Sequence, residues 1–206
     1  MASYSFKLTE EIARWAFEIL INQSQEWYIA FTNPTAGPWK RVMALDETGL
    51  EGEVHRFARD EERPDLLLVS DKYRLIIILE AKDSLTKLIT DSQIEKSANV
   101  VLSLARLLKE KESNNFWGKR AHYTVVAGLL WGAEQRTTEK ERQEAFKAYQ
   151  SYLTNEENLC SPILLGIESY RDKEGGITCT GYVSHQGEIY EGFTGKSLLE
   201  ALPVQM

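Results

Sequence analysis

Three ionisable side chains lie at the ends of two neighbouring apolar segments. Asp65 opens the first segment, and Glu80 and Lys82 close the second. Carboxylate oxygens suit Mg²⁺, which typically takes one or two of them and completes its octahedron with water and phosphate oxygens. Such an ion polarises a phosphoryl oxygen and lowers the pKa of a bound water. A nearby ammonium can orient that water or stabilise the charge that develops. These residues therefore predict metal-assisted phosphodiester hydrolysis.

The two apolar segments predict a β-hairpin. Residues 66–69 and 75–79 are short, continuous apolar runs bounded by polar residues, a pattern typical of buried strands. The polar residues 70–73 between them suit a tight turn. We expect this turn to place Val69 opposite Arg74.

Strand parity then decides which side chains meet. With that register Asp65 lies opposite Ile78, and opposed residues share one face of the sheet. Because side chains alternate along a strand, Glu80 and Lys82 share the face and Ala81 points away. Asp65 and Glu80 become diagonal neighbours, roughly 7–8 Å apart at the backbone, and can converge on one cation. A three-residue turn would reverse the parity.

Pro64-Asp65 followed by Glu80-Ala81-Lys82 resembles the motif of the PD-(D/E)XK nuclease superfamily. The resemblance implies a restriction-endonuclease-like core, dependence on Mg²⁺ with Mn²⁺ as a substitute, and nucleic-acid cleavage. It also implies that Asp65 and Glu80 bind the metal, together with the backbone carbonyl of Ala81. By the same resemblance Lys82 positions the attacking water.

Length and charge bound the class of protein. The chain has 206 residues and a net charge of −7. That length suits one domain, which we expect to be a single nuclease domain over 1–206. Its core would span about 7–131, with a C-terminal embellishment over about 132–206. The negative charge disfavours a sequence-indifferent DNA coat protein. The negative net charge does not exclude a nuclease, because only the cleft that binds DNA must be basic.

Other signals are absent from the sequence. No apolar run reaches the length of a membrane span, and the first residues lack the pattern of a signal peptide. Cys160 and Cys179 are too few for a disulfide framework. We therefore expect a cytoplasmic protein without a membrane partner. No phosphate-binding glycine motif is present, so no nucleotide cofactor is expected.

Periodicity predicts an α/β fold with a mixed central β-sheet flanked by helices and an extra C-terminal β-hairpin. A parallel crossover is expected to lead into the strand at 124–131. Residues 83–90 are expected to form a connection. The predicted helices are 6–22, 91–110 and 135–153, and the predicted strands outside the motif hairpin are 27–31, 53–57, 124–131, 162–167, 177–183 and 188–193.

Further catalytic candidates surround the motif. Glu53 lies in a weakly alternating segment before the hairpin, and Glu11 or Glu18 lies on the first predicted helix. Each could supply a third carboxylate, although Glu11 and Glu18 could instead be ordinary solvated glutamates. His55 could act as a base, although a lone histidine in a polar stretch is more often solvated. Gln93 matches a glutamine that several branches of the superfamily point into the active site, but it could equally serve only the cap of its helix.

Two basic and aromatic clusters are candidates for DNA contact. Aromatic rings stack on bases and neighbouring cations bind phosphates. Each cluster could instead be a loop anchored by its tryptophan. The first comprises Trp39, Lys40 and Arg41, and the second comprises Phe116, Trp117, Lys119, Arg120 and His122.

The leading expectation is a Mg²⁺-dependent endonuclease that acts on double-stranded DNA, most simply a sequence-specific type II restriction enzyme of a restriction-modification system. Cleavage of both strands at a symmetric site would favour a two-fold homodimer. A structure-specific, repair or homing nuclease on the same core is the first alternative. The second is a non-catalytic DNA-binding or assembly module that retains the fold.

Overall fold

The described residues form one mixed β-sheet and three helices. The structure is a computed structural model that describes residues 28–32, 64–90, 93–110, 120–133, 136–153, 159–171, 173–174, 177–185 and 187–193. Its helices are α1 (Leu85–Thr90), α2 (Gln93–Glu110) and α3 (Glu139–Leu153). Its strands are β1 (Tyr28–Thr32), β2 (Leu66–Ser70), β3 (Leu75–Lys82), β4 (Thr124–Ala133), β5 (Leu164–Arg171), β6 (Ile177–His185) and β7 (Glu188–Phe193).

The seven strands lie side by side in chain order, from β1 to β7. Strands β3, β4 and β5 run parallel to one another, and the other neighbours are antiparallel. Parallel neighbours require a crossover, which α1 and α2 provide between β3 and β4 and α3 provides between β4 and β5. The predicted α/β class, the mixed central sheet, the crossover into β4 and the C-terminal hairpin are therefore confirmed.

Apolar side chains fill both faces of the sheet. One cluster joins strand residues such as Leu67, Ile78 and Trp131 to the buried faces of all three described helices. The cluster on the other face includes Leu66, Ile77 and Ala81, and its described members come from the strands and the segment leading into β5. Two crossovers of the same hand that step in the same direction place their helices on one face, as is observed here.

The hairpin register differs from the predicted one by two residues. Ser70 pairs with Leu75 and Leu66 pairs with Leu79, so the prediction that Val69 lies opposite Arg74 is wrong. The turn occupies residues 71–74, and Arg74 takes the left-handed conformation with φ of 52°. The backbone N–H of Tyr73 donates to the Ser70 hydroxyl at 3.3 Å, which supports this longer turn. A four-residue turn has the same parity as a two-residue turn, so the side chains still share the predicted face.

Two helix starts also differ from prediction. Residues 83–90 were expected to form a connection, but they contain α1, whose Lys87 N–H donates to the Ser84 hydroxyl at 3.2 Å. Helix α3 begins at Glu139 rather than near residue 135, because Thr138 and Glu141 form a capping box. Glu141 N–H donates to Thr138 Oγ1 at 3.3 Å, and Thr138 N–H donates to Glu141 Oε2 at 2.7 Å.

Helix α3 packs close to the sheet above Gly166. A Cβ at this position would clash with the ring of Phe146 and lie 3.0 Å from two ring carbons of Trp131. Phe146 and Trp131 meet edge to face with their ring centroids 6.4 Å apart. Trp131 is paired with Lys82 on β3 and with Glu168 on β5. The glycine therefore lets α3 cover the face of the sheet that carries the motif residues.

Candidate active site

The motif side chains gather where β3 ends. Extending the β2–β3 register by one residue from the Leu66–Leu79 pair sets Asp65 directly opposite Glu80. Opposed residues in an antiparallel pair are closer than the diagonal neighbours that the sequence predicted. Ala81 belongs to the cluster on the other face. Strand parity therefore placed the acidic side chains correctly, and the true register brings them nearer to each other.

Lys82 completes this group. Its Nζ lies 3.6 Å from Glu80 Oε2 and 4.0 Å from Asp65 Oδ2. Asp65 and Glu80 are each only 6% exposed, whereas the Lys82 side chain is 22% exposed. Solvent therefore reaches this group on the side of the lysine. Two buried carboxylates need a compensating charge, and the ammonium supplies part of it.

Asp65 is held in place by the backbone of β3. Ala81 N–H donates to Asp65 Oδ2 at 2.8 Å. The N–H and C=O groups of one residue in an extended strand point to the same edge of that strand. The carbonyl of Ala81 is therefore directed to the edge on which Asp65 lies. This geometry fits the role of metal ligand that the family resemblance implies for that carbonyl.

One oxygen of Glu80 is available for a ligand. Glu80 Oε1 is buried and has no hydrogen-bond partner among the described residues. Burial, and then the charge of Asp65, holds the pKa of the Glu80 carboxyl well above its usual range, while Lys82 opposes the shift. An unsatisfied buried acceptor costs about 1–3 kcal/mol. A hard cation that takes this oxygen would remove that cost.

The donor set fits Mg²⁺ better than a softer metal. Among the described residues, the metal donors placed here are the oxygens of the two carboxylates, with the Ala81 carbonyl directed to the same edge of β3, and oxygen is the ligand that Mg²⁺ prefers. Within the described ranges, no cluster of at least three His, Cys, Asp or Glu side chains is placed to hold a metal. Two carboxylates are nevertheless enough for Mg²⁺, because water and substrate phosphate complete its shell.

Tyr149 is a neighbour of Glu80 that the sequence did not single out. It lies on α3, fully buried, and its hydroxyl has no partner among the described residues. Burial first, and then the charges of Glu80 and Cys160, raise the pKa of its phenol well above the usual value. In the sequence, Tyr149 is one of the apolar residues of the helix predicted over 135–153, and nothing there points to Glu80.

A third buried carboxylate, Glu168, lies on β5, and each of its oxygens accepts a hydrogen bond. Its Oε1 accepts from Thr137 N–H at 2.5 Å and its Oε2 accepts from the Tyr182 hydroxyl at 2.7 Å. Arg142 Nη1 lies 4.0 Å from Oε2. Burial and the bond to Glu168 raise the pKa of Tyr182 to about 12, so this phenol stays a donor. Glu168 therefore ties the start of α3 to the sheet through both of its oxygens.

The other described candidates lie apart from the carboxylates or at the start of a helix. Gln93 is partly buried as the first residue of α2. Arg120 makes a two-pronged contact with Asp71, at 2.7 and 2.6 Å. Asp71 begins the hairpin turn, six strand positions or roughly 20 Å from Asp65, so the structure does not bring Arg120 to the carboxylates.

Several candidates lie outside the described residues. They include the three upstream acids and most residues of the two basic and aromatic clusters. The third acid of the site and the DNA contacts therefore stay predictions. They are Glu11, Glu18, Trp39, Lys40, Arg41, Glu53, His55, Phe116, Trp117 and Lys119.

The raised pKa of Glu80 predicts a pH dependence of stability without metal. A carboxyl whose folded pKa is raised stays protonated in the folded chain after it has ionised in the unfolded chain. Its contribution is therefore full below about pH 4.5, the ordinary value, and is lost as pH rises toward the folded pKa. Urea unfolding at a series of pH values in EDTA should show this loss in the wild type. The variant Glu80→Gln should lack that component, and parallel curves for the two proteins would contradict the assignment.

No family model, no curated protein and no solved structure matches the chain. A function must therefore be argued from the geometry of this site. None of the described helices is both long enough and apolar enough to cross a membrane.

Proposed function

We propose that this chain is a Mg²⁺-dependent endonuclease with a restriction-endonuclease-like core, acting on double-stranded DNA. The observation that carries the proposal is the convergence of Asp65, Glu80 and Lys82 at one end of a buried hairpin. In that group one carboxylate oxygen, Glu80 Oε1, has no hydrogen-bond partner among the residues that the structure describes. Buried charges of this kind cost stability and need a compensating role. Phosphodiester hydrolysis uses all three groups.

Each side chain has a distinct task in this proposal. Asp65, fixed by Ala81 N–H, and Glu80 would hold Mg²⁺ together with the Ala81 carbonyl. The bound ion supplies polarisation of the phosphoryl group and a more acidic water. Lys82, the most exposed of the three, orients the attacking water and stabilises negative charge on the phosphate. The bulk of α3, including Tyr149, excludes solvent from the buried side.

The strand order supports the proposed core. An antiparallel series from β1 to β3 is followed by a helical crossover into the parallel strand β4. This arrangement is compatible with the restriction-endonuclease-like core that the motif resemblance implies. It presents the end of β3 beside the end of β4, where Trp131 lies next to Lys82. Substrate can therefore approach the carboxyl ends of the parallel strands.

The substrate and assembly follow from the same proposal. A sequence-specific type II restriction enzyme would cut both strands of a symmetric site, which suits a homodimer. A structure-specific, repair or homing nuclease would use the same three residues on a different DNA. The net charge of −7 requires that DNA attraction be local to the cleft, where a bound cation offsets the carboxylates.

Digestion of a long DNA of mixed sequence tests this function. In Mg²⁺ we expect the purified protein to yield discrete fragments, and in EDTA we expect no cleavage. A smear or loss from the ends would instead favour the structure-specific or repair alternative. Intact DNA in both Mg²⁺ and Mn²⁺, with protein shown to be folded by circular dichroism, would remove the nuclease proposal and favour a binding or assembly module.

A further inference from the structure

A cavity lies on the outer flank of α3, away from the motif residues. Its volume is about 640 Å³, and its described walls come from α3, the segment before β5 and the β6–β7 hairpin. Pro162 precedes β5, which runs parallel to β3, so the cavity lies toward the amino ends of these strands. Glu80 and Lys82 lie at the carboxyl end of β3. The cavity is therefore separate from the proposed active site.

The lining combines an apolar wall with a few polar groups. Phe146, Pro162 and Ile189 supply the apolar side chains, and Gln150 and Ser184 supply neutral polar groups. The volume falls in the range of small-molecule sites, which are also mainly apolar with a small number of polar groups. This combination suits a compact organic molecule with an apolar body.

The charge of the cavity lining indicates the charge of the ligand. Lys147 is the one ionisable side chain among the described residues that line the cavity, and it is exposed on α3. No described carboxylate lines the cavity to offset that ammonium. A ligand that places an anionic group near Lys147 and its apolar body against Phe146 would satisfy both parts of the wall.

The base of the cavity belongs to the packed core. Phe146 is only 2% exposed, and its ring also packs against Trp131. The Ser151 hydroxyl, which lies at the same wall, already donates to the Ala148 carbonyl at 2.7 Å. Side chains held in this way cannot collapse into the space without loss of core packing. The base of the cavity at Phe146 is therefore fixed before a ligand arrives.

We propose that this cavity is a binding site for a small organic anion with an aromatic or branched aliphatic body. Such a site adds a ligand to this protein that the proposed DNA hydrolysis does not use. The ring of Phe146, which packs against Trp131 in the core, would contact the ligand.

Two fluorescent probes test the proposal on the full-length protein. The anionic probe is 1-anilinonaphthalene-8-sulfonate, and the uncharged one is N-phenyl-1-naphthylamine. We expect saturable binding of both at one site per chain in native buffer. Lys147→Gln should weaken binding of the anionic probe about 5-fold, the effect of a single exposed charge pair, and leave the uncharged probe unchanged. Lys140→Gln, at an 84% exposed position of α3 outside the lining, is the matched control.

A second pair of variants tests the location. Gln150→Trp should fill the cavity and abolish binding of both probes. Gln150→Ala should leave the binding of both probes intact. Unfolding curves show which variants are folded. Absence of saturable binding, or binding that resists both Lys147→Gln and Gln150→Trp, would overturn the site. An equal loss for both probes in Lys147→Gln would overturn the preference for an anion. Neither metal nor DNA enters these assays, so their outcome is independent of the nuclease proposal.

Discussion

Replacement of Glu80 by glutamine is expected to abolish Mg²⁺ binding and to lower DNA cleavage by on the order of 10³-fold. Glutamine keeps the shape of the side chain but removes the charge that binds the cation. Metal ions stabilise charge in the transition state by several kcal/mol, which corresponds to this factor in rate. The unfolding free energy without metal should stay the same or rise, because a buried carboxylate with an unsatisfied oxygen is costly. Titration calorimetry with Mn²⁺ measures the metal binding, and urea unfolding in EDTA measures the stability without metal.

The control for this variant is Glu95→Gln. Glu95 lies in the first turn of α2 and is exposed. The substitution makes the same chemical change at a position that the proposal does not use, so binding and cleavage should match the wild type. Retention of Mn²⁺ binding in Glu80→Gln would contradict the metal site. A marked loss of stability in EDTA would instead assign Glu80 a structural role.

The second large effect is expected at Glu168. Glu168→Ala should lower the free energy of unfolding by about 3–5 kcal/mol, the usual cost of removing one partner from a buried charged group. Two donors lose their acceptor at once, Thr137 N–H and the Tyr182 hydroxyl, and the Arg142 guanidinium loses an ion-pair partner 4.0 Å away. Glu168→Gln keeps one acceptor oxygen and should cost less than Glu168→Ala. Urea unfolding of all three proteins at neutral pH gives the comparison.

Glu144→Ala on α3 serves as the control. Glu144 is 54% exposed and lies 3.8 Å from Lys140 one turn earlier. Exposed pairs of this kind contribute about 0–1 kcal/mol, so its loss should be small. Glu168→Ala with a cost no larger than that of Glu144→Ala would show that the start of α3 is not held by this carboxylate.

The sequence predicted the shared face of the motif side chains because that face depends only on strand parity. It did not predict the register, because the turn length depends on the left-handed conformation of Arg74 and on the Ser70 hydroxyl. A two-residue and a four-residue turn fit the same apolar pattern. The pairing of Asp65 with Glu80 therefore required the structure.

Glu168 and the cavity could not have been predicted from periodicity. The predicted strand ended at residue 167, and the partners of Glu168 are contributed by residues up to 31 positions away. Contacts of this range leave no periodic signal in a single sequence. The start of α3 is different, because Thr138 followed by Glu141 is a capping-box pattern that the sequence displays. The predicted helix began at residue 135, too early, because that prediction rested on the spacing of apolar residues and not on this capping box.

The most direct test of the central proposal is the rate at which Mg²⁺-loaded protein cleaves supercoiled plasmid, compared between the wild type and Lys82→Ala. With protein in excess over DNA, we expect Lys82→Ala to be slower by about 10²–10³-fold, the usual cost of losing one group that stabilises transition-state charge. Its Mn²⁺ affinity should persist, because Asp65 and Glu80 remain. Lys140→Ala, at an 84% exposed position, should cleave like the wild type. Equal rates for the wild type and Lys82→Ala would contradict the proposed active site.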